Sequence, residues 1–145
     1  MIAVAQRVRE ARVEVAGRVT GAIGQGLMVL VCAEPQDTPD TGARLLDKLL
    51  KLRIFADEAG RMNRSLQDVG GGLLLVSQFT LAADLRGGNR PSFSGAAPAA
   101  QGRALYDGLV TLARERHPVV ATGEFGADMQ VHLVNDGPVT IPIRL

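Results

Sequence analysis

Aromatic side chains are nearly missing from this chain: no tryptophan, one tyrosine and four phenylalanines in 145 residues. A core built on rings is excluded, so Leu, Val, Ile and Ala must fill it. Each of Phe55, Phe79, Phe93, Tyr106 and Phe125 is correspondingly freer to do a local job. Cysteine occurs once, at Cys32, so no disulfide can form within the chain. It lies in the apolar run Leu27-Met28-Val29-Leu30-Val31-Cys32, where a buried, inert thiol is the better reading than a nucleophile. His117 and His132 are the only histidines. They are too few and too isolated for a metal cluster, and no metal or other cofactor is expected. No signal peptide and no bilayer-length apolar run are found, so no membrane partner is expected and a cytoplasmic location follows by default. Net charge is scarce too. Sixteen basic against fifteen acidic side chains leave +1, so a nucleic acid would have to be held by a local patch.

What is present reads as one domain, residues 1–145, long enough to bury most of its unfolded surface. Ile2, Val4 and Val8 alternate on one face of a first strand, with Ala3, Ala5 and Arg7 on the other. The apolar phase shifts to Ala11, Val13 and Val15, which predicts a bulge or bend near Arg9-Glu10. Leu27 to Ala33 is apolar throughout, as in a strand covered on both faces. Thr38-Pro39-Asp40 starts a helix with Leu45, Leu46, Leu49 and Leu50 at helical spacing. Its basic stripe, Arg44, Lys48 and Lys51, is ordinarily solvated surface. Arg53 to Phe55 predicts a short strand and Asp57 to Asn63 a turn. Gly70-Gly71-Gly72 precedes a central strand, Leu73 to Val76, which runs into Ser77-Gln78-Phe79-Thr80. A loop from Asp84 to Ala97 follows. Pro98 opens a second helix, with Leu105, Leu109 and Leu112 as its stripe, and Pro118 stops it. Residues 119–124 and 127–135 predict strands. Met129, Val131 and Leu133 share one face; beyond Asn135-Asp136-Gly137-Pro138, so do Val139, Ile141, Ile143 and Leu145. That pattern reads as two strands joined by a tight polar connection. The class expected is α+β, mostly antiparallel β-sheet with two main helices.

Two stretches carry chemistry. Ser77-Gln78-Phe79-Thr80 sets two hydroxyls, an amide and a ring where a buried strand emerges, a plausible pocket floor. No Gly-x-Ser-x-Gly elbow surrounds Ser77 and neither histidine is marked as its base. In Gly137-Pro138, the glycine lets a carbonyl approach a ligand without a Cβ in the way, and the proline gives access to a cis bond.

Leu75-Val76-Ser77-Gln78-Phe79-Thr80-Leu81, Arg90-Pro91-Ser92-Phe93, Gly126-Ala127-Asp128-Met129-Gln130-Val131, Asn135-Asp136-Gly137-Pro138-Val139-Thr140 and Ala5-Gln6-Arg7-Val8 together resemble the D-aminoacyl-tRNA deacylases, in order and over effectively the whole chain. Ala82 departs from the pattern, where a bulkier residue is expected in one pocket wall. The resemblance implies hydrolysis of the ester between a D-amino acid, or glycine, and the 3′ end of tRNA. It implies a homodimer in which Gly137-Pro138 of one subunit enters the other's pocket. The Gly137–Pro138 bond is expected to be cis, with both carbonyls pointing into that pocket and Arg7 bracing them. Ser77, Gln78, Phe79 and Thr80 would hold the terminal adenosine and the ester; Phe125 and Met129 would shape the pocket. Backbone amides of Phe79 and Thr80 are the candidate oxyanion donors. DNA is not expected as a partner. Two other readings stay open: a catalytically silent RNA-binding homodimer using Arg86, Arg90, Lys48 and Lys51, and a small-ester hydrolase with Thr80 as nucleophile.

Overall fold

The computed structural model describes all of residues 1–145. Its main sheet has six strands: β1 (Ile2–Val15), β2 (Arg18–Ile23), β3 (Gly26–Cys32), β6 (Gly72–Ser77), β7 (Val120–Thr122) and β8 (Gln130–Arg144). A separate small ribbon pairs β4 (Phe55–Ala56) with β5 (Met62–Arg64). β1 runs antiparallel to β2, β3 and β8, while β3–β6 and β6–β7 are parallel. Parallel neighbours need long crossovers. Helix α1 (Pro39–Lys51), the small ribbon and the short α2 (Leu66–Val69) fill the first, and α3 (Ala99–Arg116) fills the second. The α+β class and the two main helices are therefore as expected.

α1 begins where Thr38-Pro39 predicts, and the Thr38 amide donates to Thr41 Oγ1 at 3.2 Å. Its leucines meet Tyr106, Leu109, Val110 and Ala113 of α3 over Ala3, Ala5, Leu27, Val29, Val31, Leu73 and Leu75. The opposite face of the sheet holds a second core of Val8, Ala11, Val13, Ile23, Met28, Leu74 and Val76. Leu27 to Cys32 is thus covered on both faces, with Leu30 alone half-buried, as its unbroken apolar run requires. In β1 the alanines, not the larger Ile2 and Val4, are the fully covered residues near the start. Small side chains there lie beneath the helix layer.

The expected division into two strands at Asn135–Pro138 is not found. Both apolar runs belong to one strand, β8, lying along β1 in a single direction, with Leu133 opposite Ala11 and Ile141 opposite Ala5. Asn135 pairs with Val8 and Thr140 with Gln6, so four residues, Asp136 to Val139, stand opposite Arg7 alone. The polar segment is a bulge within a strand, which is where a strand tolerates a residue that cannot donate. Asn135 closes it. Its Oδ1 accepts from the Val139 amide at 2.7 Å and its Nδ2 donates to Thr140 Oγ1 at 2.9 Å. The register shifts a second time between Val8 and Glu10, where Arg9 is an extra residue on β1. That places the predicted bend near Arg9-Glu10.

At the chain ends, the Met1 ammonium donates to Glu34 Oε2 at 3.1 Å and to Asp37 Oδ1 at 2.8 Å, and Arg144 pairs with Glu34 at 2.5 Å. No helix is long and apolar enough to cross a membrane.

Candidate active site

β6 delivers Ser77 to the edge of the core, and Gln78 then leaves the sheet with its amide donating to Val31 O at 2.8 Å. The chain turns into one 3-10 turn, Phe79–Ala82. Its first internal bond comes from Leu81, which donates to Gln78 O at 3.2 Å. The amides of Phe79 and Thr80 precede that bond, as the leading amides of any helix do. Gln78 Nε2 donates to Thr80 Oγ1 at 2.5 Å. Gln78 is a donor here, so it cannot serve as a base for Thr80.

Beside this turn lies a cavity of about 510 Å³, lined mainly by apolar groups. Phe79, Phe93, Tyr106 and Phe125, four of the five aromatics, line it together with Ser77, Gln78 and Cys32. Phe79 is 59% exposed and meets Phe93 edge-on, ring centroids 5.2 Å apart. Phe93 is held there because Asp84 and Ser92 exchange backbone bonds of 2.8 and 2.9 Å, pinning the loop. Tyr106 is anchored by its hydroxyl, which donates to Leu75 O at 2.8 Å. Burial pushes that phenol up to about 12, so it stays a neutral donor. Burial likewise raises the Cys32 thiol, as a structural cysteine requires. A smaller cavity of about 260 Å³ shares Ser77, Gln78, Phe79 and Phe125 and adds Asp128 and Met129.

The structure therefore gathers Ser77, Gln78, Phe79, Phe125 and Met129 around adjoining cavities, with Thr80 next along the turn but in neither lining. Phe93, Tyr106 and Gly126 are lining residues that the sequence reading did not assign. The scarcity of aromatics was the available signal for the first two.

Arg7, Gly137 and Pro138 form a second group elsewhere. Arg7 Nε donates to Asp136 O at 2.8 Å and Nη1 to Ile54 O at 2.5 Å, and its side chain is only 15% exposed. Ile54 is a partner no sequence pattern indicated. Gly137–Pro138 is cis and both residues are exposed. Gly137 has φ +150°, and a Cβ there would lie 2.7 Å from the Val139 side chain and 3.3 Å from Arg7 Nη2. Only glycine suits that position.

The strand registers separate the two groups. Arg7 is level with Leu27 and Leu73, and Ser77 lies four residues further along β6, three strands away from β8. At about 4.8 Å per strand and 3.3 Å per residue, Gly137 is roughly 20 Å from Ser77 of its own chain.

His117 is buried at the end of α3, where its Nε2 donates to Gly71 O at 2.7 Å, and His132 lies 3.5 Å from Glu14. Neither lines either cavity. No group of three or more His, Cys, Asp or Glu side chains is placed to hold a metal ion. Fold and site together define an α+β protein with an open apolar pocket at a strand end, equipped with amides and hydroxyls and no nucleophile–base pair. The family model for D-Tyr-tRNA(Tyr) deacylase matches residues 4–144, and the chain belongs to that family of hydrolases.

Relatives agree along the whole length. A D-aminoacyl-tRNA deacylase of Paracidovorax citrulli (strain AAC00-1) is 70% identical, covering 100% of this chain and 94% of the relative. One of Variovorax paradoxus (strain S110) is 68% identical, covering 100% and 99%. Among solved structures, a c-Myc DNA Unwinding Element Binding Protein superposes with TM-score 0.95 at 40% identity, covering 100% and 99%. A probable eukaryotic D-amino acid tRNA deacylase superposes with TM-score 0.86 at 18% identity, covering 98% and 97%, a likeness of fold.

Proposed function

We propose that this protein hydrolyses the ester of D-aminoacyl-tRNA, releasing free tRNA and the D-amino acid, as a homodimer whose pockets each take Gly137-Pro138 from the other subunit. The family and its full-length relatives support the reaction. The two-subunit site is carried by one observation: the exposed Gly137-Pro138 bulge stands roughly 20 Å from the Ser77–Phe79 pocket of its own chain. It lies on β8, a sheet-edge strand bonded only to β1 and open along its other side.

An aminoacyl ester is already reactive, so positioned water and amide donors at the developing oxyanion suffice. Phe79 and Thr80 supply the candidate amides, and the apolar cavity beside Phe79 takes the terminal adenosine. Rejection of L-substrates falls to the Gly137-Pro138 carbonyls, which accept from the α-amino group in the D arrangement and clash with an L side chain. Glycine, with nothing to clash, is cleaved as well. The substrate places the enzyme beside translation in the cytoplasm.

Purified protein is assayed on D-tyrosyl-, L-tyrosyl- and glycyl-tRNA over a dilution series. The expected result is cleavage of the D and glycyl esters, sparing of the L ester, and loss of activity once the dimer dissociates. Equal cleavage of D and L esters overturns the carbonyl mechanism. A monomer with full turnover overturns the shared site.

A further inference from the structure

The strongest feature left unused is a basic face at the C-terminal end of α1. Arg44, Lys48 and Lys51 recur four and three residues apart, so they share one side of the helix. All three are exposed and none has an ion-pair partner, since the nearby Asp47 is taken by Arg116 at 2.9 Å. They border a shallow concavity of about 430 Å³ that Arg53 completes, with Asp47 the one carboxylate in its lining. Arg53 hydrogen-bonds only Asn63, a neutral side chain and its carbonyl, and makes no ion pair, although its charge is felt at the Asp68 carboxyl. Residues 44–64 hold six basic and three acidic side chains, a local excess of three where the whole chain has an excess of one. Two lysines in the last turn would satisfy the helix dipole. A concave surface with four cations, none of them ion-paired, against one carboxylate already held by Arg116 exceeds that need and suits a run of phosphates.

The position of this face gives it a purpose. Ile54 follows Arg53, and Arg7 ties the Ile54 carbonyl to Asp136, the residue before Gly137. The basic concavity and the Gly137-Pro138 bulge are therefore fixed to one another through a single guanidinium. On the reading proposed above, the bulge enters the other subunit's pocket, and the basic face travels with it to the rim of that pocket. We infer that Arg44, Lys48, Lys51 and Arg53 of one subunit hold backbone phosphates of the tRNA whose 3′ end occupies the pocket of its partner. The inference rests on the shared-site reading and adds a surface to it: each tRNA is gripped by the subunit that does not contain its adenosine pocket.

The test compares a long with a short substrate. D-tyrosyl-tRNA carries the phosphates and D-tyrosyl-adenosine does not. The combined variant Arg44→Ala/Lys48→Ala/Lys51→Ala is assayed on both, with a thermal melt to verify folding and the milder Lys48→Gln/Lys51→Gln pair alongside. The expected result is a drop of about tenfold or more in kcat/KM for the tRNA and a salt dependence shallower by about 2–3 in log–log slope, from the loss of up to three phosphate contacts. Cleavage of D-tyrosyl-adenosine is expected to be unchanged. An equal loss on both substrates, or none on the tRNA, overturns the phosphate role. Wild-type protein that cleaves neither substrate instead overturns the proposed reaction itself. Mixed dimers test the crossing. One chain carries the triple substitution, and its partner carries Gly102→Trp, which fills the cavity and is first shown inactive as a homodimer. Full tRNA cleavage per open pocket is expected, because the intact basic face belongs to the blocked chain. Loss of cleavage there, with retention when both changes sit on the same chain, overturns the assignment across subunits.

Discussion

Arg7→Ala separates a positioning role from a merely structural one. The guanidinium joins two segments far apart in sequence, donating to Ile54 O at 2.5 Å and to Asp136 O at 2.8 Å. Its contact with the Asp136 carboxylate, 3.8 Å and partly exposed, adds little. A hydrogen bond from a charged donor contributes about 1.5–3 kcal/mol when its loss leaves the acceptor dry. Ile54 is buried, but the Asp136 end of the bulge admits water, so the two bonds together contribute about 2–3 kcal/mol rather than the full sum. At this chain length that is a fall in Tm of roughly 6–10 °C, read by thermal denaturation. The kinetic expectation is sharper. If the bulge shifts by about 1 Å, kcat/KM on D-tyrosyl-tRNA drops on the order of 100-fold, while L-tyrosyl-tRNA gains relative to it. Arg7→Lys keeps a charge but cannot reach both carbonyls, so it falls between. A variant with the lowered Tm and an unchanged ratio of D to L cleavage would refute the reasoning, leaving Arg7 a brace for the fold alone.

Three further outcomes follow from local geometry. Gly26→Ala puts a Cβ 1.9 Å from Gly72 O across the parallel β3–β6 pair, so it should cost about 3 kcal/mol or more in denaturant titration, whereas Gly24→Ala, with nothing within 4 Å, should be close to neutral. Tyr106→Phe should cost only about 1 kcal/mol, because Leu75 O keeps its second donor, the Gly123 amide at 3.1 Å. Glu34 is raised by burial but brought below the usual carboxylate range overall by hydrogen bonds from Arg144 and the Met1 ammonium. A depressed native pKa stabilises above the unfolded value, near 4.5, and that contribution is lost as pH falls through the native one. Glu34→Gln should therefore lower Tm at pH 7, with the gap to wild type closing towards pH 3.

Much of the architecture is legible because single residue types fix it. Thr38-Pro39-Asp40 followed by leucines at helical spacing opens a helix, and Leu27 to Cys32 has no polar side to show solvent. The second helix runs through Gly102 and Gly108 unbroken, because Tyr106, Leu109, Val110 and Ala113 are buried along one side of it. Shorter elements escape the pattern. α2 has four residues, too few for a period, although Ser65 and Asp68 cap it reciprocally at 2.8 and 3.1 Å. The 3-10 turn at Phe79–Ala82 is set by tertiary contacts, with Gln78 held to β3 and Phe79 against Phe93. Ser77 to Thr80 could be seen as a polar strand end. That Phe93 and Tyr106 join them depends on the loop bridge and the crossover helix, which no local pattern encodes.

Asn135–Pro138, expected as a tight connection between two strands, marks where local pattern stops deciding. Alternation on both sides of a Gly-Pro pair fits a reversal and a bulge equally well, because the side-chain period is two in either case. The difference lies in β1, which pairs with β8 on both sides of the protruding segment and carries one extra residue of its own, Arg9, between Val8 and Glu10. A hairpin tip would be anchored only at its base. A bulge is anchored at both ends by ladder bonds, across its mouth by Asn135, and along its length by Arg7. Exposed yet held at four points, Gly137-Pro138 can keep its carbonyls fixed when it meets another molecule, and the selection by exclusion proposed for it depends on that fixity.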